Sequence, residues 1–519
     1  MYCMVVGAYA SRSVEPRRRV CEVIANRPGR GQSEAGEDMA KRKISTFQRL
    51  HRMNRQERKE WGRQLAKEDP GLEIVHPDAA GIDIGKESHF VSVPPGRDPE
   101  PVREFGSWTG DLRRMVQWLK KCSIRTVVMQ STGVYRMGAQ EELERAGLEV
   151  FVVNARDTKN LPGRKSDVQE CQWLRKLHTY GLLRNSFRPP EQIRQLRNVW
   201  RMRERPVQDA GRCLQQIDKA LTKMNVRLTS VLSDIAGVTG MHIIRAIVAG
   251  ERDPRKLAEF REPGVTASKE EIACHLEGRW QEDVLFELRQ VLATYDFHQG
   301  LLAECDGELQ RRLEAMEGRE QQAVVPEGIE EDAKARKRRK KKQGTRSKNQ
   351  PKGFDLRAEL ERTMGVDLTR IEGINAMTAL TIYSELGTDL SAFPTEGNFC
   401  SWLRLTPRRD ISSGKVIRHY VDPARGRLNN AFRMAAQALH KSDSYLGARY
   451  RSKTHRMEKL KAVKAMAREL ACIVYRLMTK GQQWVDRGAE QYEARRKERE
   501  LQSLQRRAAA LGLQLSPAC

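Results

Sequence analysis

At 519 residues the chain is too long for one compact core, so two or three folding units are expected. It carries 94 Lys plus Arg against 68 Asp plus Glu, a formal net charge of +26, and a surplus of that size needs a polyanion to sit against. With aromatic content of only 6% and no run of roughly 18 apolar residues, the composition favours nucleic acid as that partner, and excludes a helical membrane span.

The ten cysteines are scattered, with no CxxC pair, and only Cys274 has a histidine (His275) beside it. They read as reduced thiols of a cytosolic protein. Residues 1–38 begin with a short apolar run followed by the basic stretch SRSVEPRRRV, the reverse of the order in a signal peptide. This leader is expected to be disordered or an upstream extension of the reading frame. Residues 39–72 are highly charged and helix-permissive, so 1–72 together form a basic N-terminal arm.

The next unit spans residues 73–188. Short apolar runs at 79–84 (AAGIDI), 88–93 (SHFVSV) and 102–105 predict three consecutive antiparallel strands. Helical spacing of Leu112, Met115, Val116 and Leu119 predicts a helix over 111–121, followed by a strand at 124–129. A helix over 137–146, a strand over 149–153 and a helix over 166–180 complete the series. Three strands, then helix, strand, helix, strand, helix is the order of an RNase H-like mixed sheet, whose last two strands enter by parallel crossovers.

After Arg188-Pro189-Pro190 the character changes. Residues 191–232 and 269–317 carry apolar positions at helical spacing among many charges, separated by a Gly- and Pro-punctuated stretch at 237–265, and predict a helical coiled-coil arm over 189–331. Residues 332–355, with an unbroken basic run at 336–342, predict a disordered linker unless it lies on phosphate. A mostly helical domain is expected over 356–482. Its opening, LTRIEGINAMTAL, has the form of a helix-hairpin-helix turn, whose backbone amides can hold a DNA phosphate. Helices are expected at 429–440 and 459–477, and the tail, 483–519, is charged and helical with no sign of a core.

Several residues carry potential chemistry. Asp83 falls in the first strand, although an Asp before Gly is also a common turn former. Asp167 and Glu170, at i and i+3, project from one helix face, and also suit the dipole of a helix N-terminus. Gln130 ends the fourth strand, beside the first. Hard oxygen donors converging from separate strands and a helix are what magnesium, or manganese, needs to hold phosphate oxygens. Far downstream, ISSGK holds Ser412 and Ser413 in what is otherwise a polar loop.

The segments GIDIGKESHFVSV, VVMQSTGVYR, VFVVNARDTKNLPGRKSDVQECQWLRKLHTYGLL and LGTDLSAFPTEGNFCSWLRLTPRRDISSGKV resemble the DEDD insertion-sequence transposases that a bridge or seeker RNA guides. The likeness runs from about Ala79 to Gly481. It implies a RuvC-like N-terminal domain, a C-terminal transposase domain, four acidic positions that bind magnesium, a serine that becomes joined to DNA, and a structured guide RNA that selects donor and target DNA. Such a protein would act in the bacterial cytoplasm on the nucleoid as a homodimer or tetramer, with a composite site between subunits. The acidic positions fall on Asp83, Gln130, Asp167 and Glu170, with Gln130 where the family has Glu and Glu170 where it has Asp. Counting back from Lys415 selects Ser412 as the nucleophile and leaves Ser413 in a glycine position, so both remain candidates. Arg404, Arg408, Arg409, Lys415 and Arg418 would surround the reacting phosphate, and Lys159, Arg164 and Lys165 would meet nucleic acid near the metal. Two other outcomes fit the same residues: a resolvase-like nuclease that uses water, and a catalytically impaired binding relic.

Overall fold

The computed structural model describes residues 71–131, 133–154, 166–320, 331–334, 336–337, 347, 349–412, 415–420 and 426–510, of which 408–412, 415 and 419–420 are described by their backbone alone. The chain divides between Arg184 and Asn185 into two compact units.

The first unit is built on a five-stranded mixed sheet. Strands β1 (Ala79–Ile84), β2 (Ser88–Ser92) and β3 (Val102–Gly106) form an antiparallel meander, and β4 (Thr126–Gln130) and β5 (Glu149–Val153) add in parallel on the other side of β1, giving the order β3-β2-β1-β4-β5. A mixed sheet of this order is compatible with an RNase H-like domain. Side chains alternate across the strands. Ala80, Ile82, Ile84, Val127 and Met129 bury themselves on one face beneath helices α1 (Thr109–Lys121) and α2 (Arg136–Arg145), in one core with Leu112, Met115, Leu119 and Leu143. The intervening residues face the other way, where Val128 and Val153 pack with Leu174 and Leu177 of helix α3 (Asp167–Thr179).

Helix α3 lies unusually close to β1 because position 81 has no side chain. A Cβ on Gly81 would stand 2.3 Å from the Cys171 carbonyl oxygen and 2.4 Å from the Arg175 nitrogen, both backbone atoms that cannot step aside. Gly81→Ala is therefore expected to cost this unit about 1–3 kcal/mol by overpacking. Chemical denaturation of the variant would show it, and an unchanged midpoint would mean that α3 does not need this approach.

The second unit is helical. Helices α4 (Glu191–Lys223) and α9 (Glu282–Glu314), 33 residues each and so about 50 Å long, pack antiparallel, as cross-links from Gln195 to Arg312 and from Lys223 to Glu287 show. Four short helices, α5 (Leu228–Val231), α6 (Val238–Ala249), α7 (Pro254–Ala258) and α8 (Lys269–His275), close a separate core at the far end of this pair. The sequence pattern ran both long helices too far. The first stops at Lys223, and the second breaks over residues 276–281 between α8 and α9; apolar spacing continues through each break because both sides face one core.

The near end of the pair joins the C-terminal core. Ile193, Leu196, Trp200, Leu309 and Leu313 share one cluster with helices α10 (Leu356–Met364), α11 (Ala376–Leu386), α12 (Glu396–Trp402), α13 (Arg427–Ala438), α14 (Tyr445–Thr454) and α15 (Lys459–Lys480). Between the two cores Arg203 and Asp306 form a buried ion pair at 2.5 Å, each less than a tenth exposed. The remaining donors and acceptors find partners too: Arg203 donates to the Asn349 carbonyl (2.8 Å), and Asp306 accepts from the Lys352 amide (2.9 Å). Breaking such a pair from one side leaves an uncompensated buried charge, at about 3–5 kcal/mol. The last helix, α16 (Ala489–Ala510), buries no residue, as its charged sequence led one to expect.

Candidate functional site

The sheet and α3 place the acidic candidates. Asp83 shares the parity of Gly81, and Gln130 that of Val128, so both lie on the α3 face of the sheet. In the parallel register Ile82 pairs with Met129, which sets Asp83 and Gln130 at the carboxyl ends of adjacent strands. Helix α3 runs opposite to β1. One turn back from Cys171 is Asp167, a rise of about 6 Å, and two residues on from Gly81 is Asp83, about 6.6 Å. The close approach at Gly81 thereby carries Asp167 to the level of Asp83.

The two carboxylates line a single cleft of about 360 Å³, whose walls are Ile84 to Ser88 and Phe90. That turn is held tight by the Gly85 amide donating to the Ser88 carbonyl (3.0 Å). Ser166 caps α3 by accepting from the Gln169 amide (3.3 Å), which leaves Asp167 exposed as the first helical residue, with half-buried Glu170 one turn further in. Among the described residues no three His, Cys, Asp or Glu side chains gather as a metal cluster. Asp83 and Asp167 share the cleft with Lys86 and Glu87 of the turn, whereas Gln130, at the neighbouring strand end, and Glu170 are not among its lining residues.

Two neighbours are packing groups. Burial pushes the Cys171 thiol up to about 12, with the Asp83 charge adding to the effect, so it stays protonated. At the other end of α3, burial lowers His178 to about 3, with His76, stacked on it at 4.3 Å, as a lesser cause. Its Nε2 lies 3.1 Å from the Thr126 hydroxyl, and it is a neutral ring within the core.

The C-terminal candidates lie on an element that the sequence analysis did not foresee. Strands β6 (Arg408–Ser412) and β7 (Lys415–Tyr420) form a two-stranded antiparallel hairpin in which Ser412 pairs with Lys415, with a register shift between Asp410 and Ile411. A Ser-Gly pair between two short runs was the available signal in the sequence. Ser412 is thus the last residue of its strand, and Arg408, Arg409 and Lys415 are hairpin residues. Ser413 lies outside the described residues, as do Lys159, Arg164 and Lys165. Arg418 is exposed on β7 beside the equally exposed Ile417, and half-buried Arg404 ends α12 in a left-handed conformation (φ 57°).

The segment read as a turn between helices joins α10 to α11. After α10, a 3-10 turn (Leu368–Arg370) leads through Gly373 to α11, which Asn375 caps by accepting from the Thr378 amide (2.9 Å). Gly373 adopts φ +86°, and a Cβ there would meet the Ala435 carbonyl at 2.5 Å, so this turn seats against α13.

A DEDD transposase family of the IS110 type matches residues 80–226, the sheet, α3 and α4. A second family, described as the transposase IS116/IS110/IS902 family, matches residues 367–451, from the 3-10 turn through both candidate serines into α14. The chain belongs to the IS110 family of DEDD transposases. As a transposase it acts on DNA by recombination, which accounts for the basic surplus. No curated protein matches the transposase. Within the described residues no helix is long and apolar enough to cross a membrane.

The departure at Gln130 has a measurable consequence. A carboxylate at this buried strand end would add a charge beside Asp83, so Gln130→Glu is expected to tighten magnesium binding about tenfold, read by calorimetric titration of the full chain. Unchanged affinity would put position 130 outside the metal's reach.

Proposed function

We propose that this transposase is a site-specific, RNA-guided recombinase that breaks and rejoins DNA through a phosphoserine link, with Ser412 as nucleophile and Asp83, Asp167, Glu170 and Gln130 as the metal-holding set. The observation that carries this reading is the convergence of Asp83 and Asp167 in one cleft at the carboxyl edge of the sheet, within the segment that matches the DEDD transposases. All four candidates offer hard oxygen. A pair of carboxylates suits magnesium, which keeps several of its waters and takes one or two carboxylates together with substrate phosphates. A bound magnesium or manganese ion supplies charge neutralisation at the scissile phosphate.

The serine oxygen would form a bond to phosphorus as the bond to the leaving deoxyribose oxygen breaks, the serine proton passing to a base and the leaving oxygen taking one up. Attack by a second DNA end reverses the step, so strands are exchanged with no net hydrolysis. Lys415, opposite Ser412 in the hairpin, and Arg418 on the same strand would offset the charge that develops on phosphorus. The carboxylates and the serine belong to different compact units, so the proposal requires them to meet, and a homodimer or tetramer with a composite site is the form it takes. Sequence choice would be delegated to base pairing by a bound guide RNA, as in other guided systems. RuvC-like geometry in the first unit and a coiled-coil role for the α4–α9 pair belong to the same proposal.

The deciding experiment isolates the full chain from cells that carry its own element and sequences the RNA bound to it. The expected result is one discrete RNA and, with magnesium, joining of two DNA duplexes only when that RNA matches both. Joining that proceeds equally well without the RNA overturns the guided reading, and cutting without joining favours a nuclease that uses water.

A further inference from the structure

The C-terminal unit carries two clefts that neither the carboxylate site nor the serine hairpin uses. The larger, about 780 Å³, lies between α14, α15 and residues 482–487, and its lining holds seven lysines and arginines against one carboxylate, Glu469. That carboxylate sits between Arg449 (2.8 Å) and Lys453 (3.9 Å), and burial raises it above the usual carboxylate range. Glu396 and Glu458 pair with Arg476 and Lys461 from the rim, and the cations still outnumber the acids. The smaller cleft, about 420 Å³, lies along α16 beside Arg456, just past the end of α14, and there Arg456, Arg496, Arg499 and Arg507 face one acid, Glu500.

Three half-buried rings connect the two clefts. Trp484 in the larger cleft meets Tyr445 edge to face at 6.2 Å, and Tyr445 meets Tyr492 of the smaller cleft in the same manner at 5.2 Å. Trp484 and Tyr445 also pack against the C-terminal core, so both rings are held in place from beneath. Trp484 is fixed by donating its Nε1 proton to Glu372 (2.7 Å), and the Asp486 carboxylate accepts from the amides of Tyr445 (2.9 Å) and Gly488 (3.0 Å), which pins residues 484–488 to α14. The row is therefore part of the packed structure and needs no partner to form.

Cationic walls with aromatic rings between them are what an unpaired nucleic-acid strand requires. Phosphates take the arginines and lysines, and bases, which in a duplex would be buried in the stack, take the rings. A duplex presents a continuous phosphate surface and no free base face, so it would use the cations and leave the rings idle. We propose that the two clefts, joined by Trp484, Tyr445 and Tyr492, form a track for a single strand of nucleic acid, with Arg468 and Arg487 in one and Arg496 and Arg499 in the other gripping its phosphates. Apart from Tyr445, Arg449 and their neighbours in α14, these residues lie beyond the segment matched to the transposase family. The track does not depend on the serine chemistry, and Ser412→Ala leaves it intact.

The test uses the full chain and the fluorescence anisotropy of a labelled oligothymidylate, the matching oligouridylate and an abasic strand of equal length. Tyr492→Ala is expected to weaken strand binding about tenfold, and Tyr492→Phe to restore it. Arg496→Gln combined with Arg499→Gln is expected to lower the salt slope by about 1.4, since roughly 0.7 is lost for each phosphate contact to a single strand. Tighter binding of the thymidylate names displaced DNA as the natural occupant, and tighter binding of the uridylate names RNA. Three results would overturn the proposal: an abasic strand that binds as tightly, a duplex that competes as well as the single strand, or an equal loss from Arg212→Gln with Lys219→Gln on the exposed side of α4. Strand binding that persists while DNA joining fails separates this inference from the recombinase proposal.

Discussion

In Ser412→Ala the covalent protein-DNA adduct is expected to disappear and strand joining to fall by at least about three orders of magnitude, as removal of a nucleophile does in other covalent catalysts. The neighbouring Ser413→Ala should keep the adduct and most of the activity. The hairpin register underlies the asymmetry. Ser412 is a paired strand residue with Lys415 directly across from it, where Cα atoms stand about 4.5–5.5 Å apart. Pairing fixes the backbone at Ser412. The measurement is denaturing electrophoresis of labelled DNA trapped on the full chain. An adduct that survives Ser412→Ala and vanishes in Ser413→Ala moves the nucleophile by one residue, and an adduct in both leaves the hairpin without a chemical role. If wild type forms no adduct yet cuts, water is the nucleophile.

Asp83→Asn should be nearly as severe, with joining reduced about a thousandfold, or ~4 kcal/mol of transition-state stabilisation. Asp83 and Asp167 share one small cleft with Lys86 and Glu87. The change to asparagine keeps the shape of the side chain, and the melting temperature of the variant should stay close to that of wild type. Activity lost together with stability retained identifies a chemical role. Activity within tenfold of wild type would remove Asp83 from the metal set, and a large fall in melting temperature would make it a structural residue. The same comparison at Asp167 is more exposed to a side effect, because that residue also favours the N-terminal dipole of α3.

Much of the first unit was legible in the residues, since each element there announces itself locally. The AAGIDI and SHFVSV runs and the 3.6-residue spacing from Leu112 to Leu119 all sit where the backbone follows them. The second unit was less so. A break such as residues 276–281 lies between two helices that serve one core, so periodicity carries across it. The serine hairpin went unseen because Arg408 to Tyr420 is polar and basic, and its exposed Val416 and Ile417 give none of the inward alternation that marks a buried strand.

Sequence alone determined the kind of partner, through the net charge, and the identity of the candidate donors, through residue type. Which donors meet was decided by packing: the missing side chain at Gly81 lets α3 press against β1 and brings Asp167 beside Asp83, although 84 positions separate Asp83 from Asp167 in the chain. Packing alone likewise set Cys400 within 3.5 Å of Cys472 and aligned Trp484, Tyr445 and Tyr492 into one row. Composition and spacing report what each residue prefers, whereas proximity between distant residues arises only when helices settle into the one arrangement that fills the core without voids or clashes.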